Sequence, residues 1–136
     1  MPSAETFTGR GPGGHRLAGR ENVHIADLTG QPFILTTAGC RPLITGAARQ
    51  AGARLEVAHE AGGQSAILEM VAAGLGVSIV PTLGLPAELG AAVTRPLEPR
   101  LTRTLALAVP SPAECGPAVR AFLDLAGPAP GAHAHL

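Results

Sequence analysis

An α/β fold with parallel strand pairing is predicted by three observations in this 136-residue chain. Short apolar runs alternate with amphipathic segments between residues 32 and 81. The amphipathic segments stop at glycines. The runs that follow are too brief for helices and end in turn residues, which gives strand, helix, strand, helix, strand in order.

Each element follows from its own residues. Residues 1–14, "MPSAETFTGRGPGG", show neither periodicity, and their Gly/Pro cluster predicts an irregular or disordered start. "PFILTT" (32–37) is a strand. "RPLITGAARQAG" (41–52) is a helix with Pro42 in its first turn, Leu43, Ile44, Ala47, Ala48 and Ala51 on one face, and Gly52 as its stop. "RLEVAHE" (54–60) alternates as a strand with Leu55, Val57 and His59 on one side. "ILEMVAAGLGVSIVP" (67–81) closes the pattern. A helix from about Ser65 places Ile67, Met70 and Val71 on one stripe, and Gly74 ends it in the left-handed conformation. Gly76 lets the chain reverse, and Val77, Ile79 and Val80 form a buried strand that Pro81 ends. Beyond it, residues 91–100 are an extended, Pro-punctuated crossing where a hinge is expected. "RTLALAVP" (103–110) reads as a strand, and "GPAVRAFLDLAG" (116–127) as an amphipathic helix with Val119, Phe122, Leu123 and Ala126 on one face. The tail 127–136 is expected to be flexible.

Composition excludes several functions. With 46% hydrophobic and 15% charged residues, the chain is globular and no larger than one domain. Ten arginines and ten acidic residues cancel, with no Lys, so the clustered positive charge that a phosphate backbone requires is missing. Three Phe with no Tyr or Trp leave few stacking platforms, and no direct nucleic-acid binding by this chain is expected. No apolar run is long enough to span a bilayer, and "MPSAETFTGR" has no signal-peptide core, so the expected location is the cytoplasm. Cys40 and Cys115 lack zinc-site spacing, and neither a metal site nor a cofactor is expected. His133 and His135 form an HxH pair, but in a tail where nothing would hold the ligands.

The helix starts are the places where binding chemistry is expected. Ligands of α/β sheets collect beyond the carboxyl ends of the strands, where helix N-termini offer free N–H groups and a positive dipole end. Two turns of this kind lie one helix apart. The first holds Thr36, Thr37, Gly39, Cys40 and Arg41; the second holds Gly63, Gln64 and Ser65. Small residues admit a ligand to the backbone, Thr36, Thr37, Gln64 and Ser65 add hydrogen bonds, and Arg41 could pair with an anion. The bland alternative is a pair of ordinary helix caps. A further alternative takes Gly63-Gln64-Ser65-Ala66-Ile67 as a nucleophile elbow lacking its last glycine, with Asp124 and His133 or His135 following in order. Asp124 sits in the closing helix and both histidines in the tail, so a triad is not supported.

Taken together, "HRLAGRENVHIADLTGQPFIL", "ILEMVAAGLGVSIVP", "VTRPLEPRLTRTLALAVP" and "AVRAFLDL" resemble the C-terminal half of the effector-binding domain of LysR-type transcriptional regulators, over about residues 15–125. The resemblance implies a type 2 periplasmic-binding-protein-like fold, truncated here, with residues 15–90 as second lobe, 91–100 as hinge crossing and 101–126 as the return toward the first lobe. It implies a non-enzymatic sensor that takes a small effector, a carboxylate or other small anion, in an interlobe cleft. The family's effector contacts fall on Thr36, Thr37 and Gly39 and on Gly63, Gln64 and Ser65. The family's winged helix-turn-helix has no counterpart in these residues, and "TFTGRGPGG" is not expected to supply the strand that precedes "HRLAGR". Surface left uncovered would favour self-association. A solute-binding-protein-like module is the alternative of the same fold class, and a small hydrolase using Ser65 the remote one.

Overall fold

The computed structural model describes residues 3–8, 15–103, 105, 108–111 and 113–126. Its elements are β1 (Ser3–Thr8), β2 (Val23–His24), a 3-10 turn (Ile25–Leu28), β3 (Pro32–Thr36), α1 (Arg41–Gln50), β4 (Glu56–Ala61), α2 (Gln64–Ala72), β5 (Ser78–Pro81), β6 (Val93–Thr102) and α3 (Pro117–Ala126). The chain divides into two compact units, residues 1–104 and 105–136.

In the first unit β3 organises the core. It pairs in parallel with β4, and a parallel bridge between Phe33 and Val77 ties it to the chain entering β5. Because side chains alternate along a strand, β3 serves two helices at once. Phe33 and Leu35 pack in one cluster with Ile44 and Ala48 of α1, while Ile34 packs in another with Ile67, Leu68 and Val71 of α2. The strand after α2 divides likewise, Val77 and Ile79 joining the first cluster and Val80 the second.

Both helices end as their glycines predict. In α1, Gly52 has φ +68° and donates to Arg49 C=O, while Ala53 N–H reaches back to Ala48 C=O at 2.8 Å. In α2, Gly74 has φ +81° and donates to Val71 C=O, while Leu75 N–H reaches Met70 C=O at 3.0 Å. These are the paired bonds of a Schellman ending. At Gly76 the demand is for space: an added Cβ would lie 2.4 Å from Pro32 O, the carbonyl that accepts Val77 N–H at 2.9 Å.

Several expectations need correction. The start of the chain is not irregular throughout, since Ser3–Thr8 forms a strand lying between β5 and β6, antiparallel to both. That sheet is therefore mixed, in the order β2-β6-β1-β5 with β2 and β6 parallel, while the parallel pairing expected over residues 32–81 holds for β3 with β4 and for the Phe33–Val77 bridge. The segment 91–100 is extended as expected, β6 covering most of it, and the boundary between the two units falls after Thr104. Its prolines occupy an irregular stretch of ladder. Glu5 pairs with Pro96 and Ala4 with Leu101, so residues 97–100 are passed over on the β1 side. Leu97 and Glu98 pair instead with β2 on the other side. Missing N–H groups are tolerated where a ladder is interrupted in this way. The strand expected over 103–110 is not formed at its described residues Leu105, Ala108 and Val109. β4 does not bury one face either, being exposed from Glu56 to Glu60.

In the second unit α3 forms as expected, and on its apolar face Val119 is 37% and Phe122 58% exposed. No helix among the described residues is long and apolar enough to cross a membrane.

Candidate functional site

Three strands of the first unit, β3, β4 and β5, end at one cavity of about 180 Å³. Thr36 comes from the end of β3, Gly62 from the residue after β4, and Val80 and Pro81 from the end of β5. The two helix starts meet there: Cys40, the cap residue of α1, and Gln64, the first residue of α2, both line it. This is where a sheet of this kind presents helix N-termini to a ligand.

Neither helix closes its own start. Cys40 and Gly63 occupy the cap positions, and neither makes a side-chain cap hydrogen bond. The first intrahelical bonds run from Ile44 N–H to Cys40 C=O and from Ile67 N–H to Gly63 C=O. The N–H groups of Leu43 in α1, and of Gln64, Ser65 and Ala66 in α2, precede those bonds and have no intrahelical acceptor. The ordinary-cap alternative therefore lacks its capping hydrogen bonds.

The side chains around the cavity are fixed by local bonds. Thr36 is 5% exposed, and its Oγ1 accepts the Ala38 N–H at 3.0 Å, which folds the turn after β3 back on itself. Gln64 Nε2 donates to Pro81 C=O at 3.0 Å, pinning the start of α2 to the end of β5. Thr37 N–H donates to Ala61 C=O at 3.0 Å, and a Cβ on Gly62 would stand 3.3 Å from Thr37 Oγ1, so the two turns touch.

Of the eight residues singled out in the sequence, the cavity brings together Thr36, Cys40 and Gln64. Thr37, Gly39, Arg41, Gly63 and Ser65 do not line it. Arg41 Nη1 instead pairs with Glu60 Oε1 at 2.7 Å, both side chains being more than two-fifths exposed. A Cβ on Gly63 would meet nothing within 4 Å, so closeness of approach is a property of Gly62 and not of Gly63. Ser65 lies on the far flank of α2, where it lines a separate hollow with Glu69, Pro86 and Glu88. His133 and His135, the histidines of the hydrolase alternative, lie outside the described residues.

Sequence reasoning missed Arg103. It lines the cavity from just beyond β6, and its Nε is buried with no hydrogen-bond partner among the described residues. No local signal marks it, because its approach to Thr36 and Gln64 is created by the sheet. Gly62 was adjacent to the residues chosen and carried the same small-residue signal. Among the described residues, no three His, Cys, Asp or Glu side chains converge where a metal could sit.

A family model described as the LysR substrate binding domain matches residues 11–129. The HTH-type transcriptional regulator YvbU of Bacillus subtilis (strain 168) is 32% identical over 115 residues, which cover 82% of this chain and 39% of that protein. The solved structure of HinK, a LysR family transcriptional regulator from Pseudomonas aeruginosa, superposes with a TM-score of 0.62 at 25% identity, covering 72% of this chain and 34% of the other. The CcmR regulatory domain of Synechocystis PCC6803, solved in complex with 2-PG, gives a TM-score of 0.67 over 91% of this chain and 61% of that one. At 20% identity that likeness is one of fold. The chain spans 30% to 39% of the length of the curated relatives YfeR and YvbU.

Proposed function

The chain belongs to the LysR substrate binding domain family, and on that premise we propose that it senses a small organic anion held at the starts of α1 and α2. The observation that carries this reading is a cavity lined by both helix starts, with Thr36, Cys40, Gln64 and Arg103 around it. First-turn N–H groups without an intrahelical acceptor and a guanidinium nitrogen with no partner among the described residues favour a negatively charged guest. Two-lobed sensors of this family would close the rest of the cleft from the first lobe. The relatives are transcriptional regulators, and the role we assign is binding, not catalysis, in the cytoplasm, with DNA read elsewhere in the regulator. Residues 15–90 would serve as the second lobe and 101–126 as the return toward the first.

Thermal unfolding of the full chain tests this. A small acid from a panel of acetate, isovalerate, malonate and shikimate, present in large excess over its Kd, raises the midpoint by mass action. Gly62→Val, which adds bulk among the lining residues, removes that rise. A midpoint that no acid moves contradicts the reading.

A further inference from the structure

Resting on that anion-sensing reading, we propose that the ligand is a small monocarboxylate with an apolar body, and that Arg103 is the residue that selects it. Charge is distributed one-sidedly in the cavity. Arg103 is the sole charged side chain among its described lining residues, and Ile67, Ile79, Val80 and Pro81 make much of the remaining wall. One guanidinium can neutralise one carboxylate. A second negative charge on the same ligand would find no counter-ion among the described lining residues, which is costly wherever that charge is buried.

One buried donor in the cavity is unsatisfied among the described residues. Arg103 Nε is buried without a partner. Thr36 is buried beside it, with its Oγ1 accepting from Ala38 N–H. A planar carboxylate matches the fork of a guanidinium with two parallel hydrogen bonds. Binding it at Arg103 removes the desolvation penalty that the empty Nε carries. Thr36 and the N–H groups of the α2 start offer further donors on the Gln64 side, so the acid group is held at one end and the apolar body lies along β5. At about 180 Å³ the cavity has room for an acid of a few carbons, branched or cyclic, below the roughly 300–1,000 Å³ typical of sites for drug-sized ligands.

The test is an amide NMR titration of the full 136-residue chain with isovalerate, cyclohexanecarboxylate, malonate and inorganic phosphate. The expected result is that a monocarboxylate shifts the Ala38, Gly62 and Gln64 amides and binds at least about tenfold more tightly than malonate or phosphate. Arg103→Gln, with an otherwise wild-type spectrum, weakens monocarboxylate binding by about tenfold to a hundredfold, the worth of a hydrogen bond to a charged group. Arg103→Lys, which keeps the charge and loses the fork, falls between; should the Gln variant not fold, the Lys variant and the wild-type selectivity decide. Malonate or phosphate binding as tightly on the same amides overturns the monocarboxylate assignment and leaves anion sensing standing. Unchanged affinity in Arg103→Gln overturns the role of Arg103. Silence with all four probes overturns the anion-sensing reading beneath both.

Discussion

Gln64 and Pro81 are joined across the mouth of the cavity: the side-chain amide at the first turn of α2 donates to the carbonyl at the end of β5, 3.0 Å away. One hydrogen bond thereby fixes a helix start relative to the strand that lies beside it. Gln64→Ala removes the tie and frees the first turn of α2. The expected outcome is a loss of about 1 kcal/mol in stability and a severalfold weaker acid affinity. Urea unfolding and calorimetric titration read the two effects separately.

Gly76 is required by its neighbour and not by helix termination. A methyl group there would meet Pro32 O at 2.4 Å and Pro32 C at 3.0 Å, and both belong to backbone that pairs with Val77. Gly76→Ala is therefore expected to destabilise by about 1–3 kcal/mol or more, as overpacking does in a closed core. Gly63→Ala, whose Cβ enters open space, should change stability by less than about 0.5 kcal/mol. Denaturant midpoints of the two variants make the comparison.

Ser78 is fully buried, and its Oγ donates to Ile34 C=O at 2.7 Å. The bond spans β5 and β3 at the seam where the two sheets meet, beside the Phe33–Val77 bridge. Ser78→Ala should cost about 1 kcal/mol, and hydrogen exchange of the Ile34 and Val77 amides should quicken with it.

Arg41 looks from the sequence like a ligand-pairing residue, and the structure gives it to Glu60 on the surface. An exposed pair of this kind contributes between about 0 and 1 kcal/mol and is screened by salt. Arg41→Ala is expected to leave acid affinity within about twofold of wild type and stability within about 0.5 kcal/mol. A large affinity loss would move the anion site toward α1 and away from Arg103.

What could be read from the sequence was local. Both helices carry their own face periodicity, and Gly52 and Gly74 mark their ends through a conformation that glycine adopts at no steric cost. The turns at residues 36–41 and 63–65 were also legible, because strand-to-helix transitions announce themselves by small and polar residues. The strand Ser3–Thr8 was not. Its partners are residues 78–81 and 93–102, far along the chain, and nothing in a short polar stretch specifies so distant a register. Pro96 and Pro99 read as breakers because the interrupted ladder that accommodates them exists only in the assembled sheet. Arg103 was invisible for the same reason: it sits in a segment of unremarkable sequence and acquires meaning from where β6 ends.

The most direct measurement is the amide spectrum of the full chain with a saturating small monocarboxylate, read residue by residue. Concerted shifts are expected at Ala38, Cys40, Gly62 and Gln64, from both helix starts and with one common affinity. Shifts confined to Ser65, Leu68 and Glu69 on the far flank of α2, or no shifts at any amide, would contradict the anion-sensing reading.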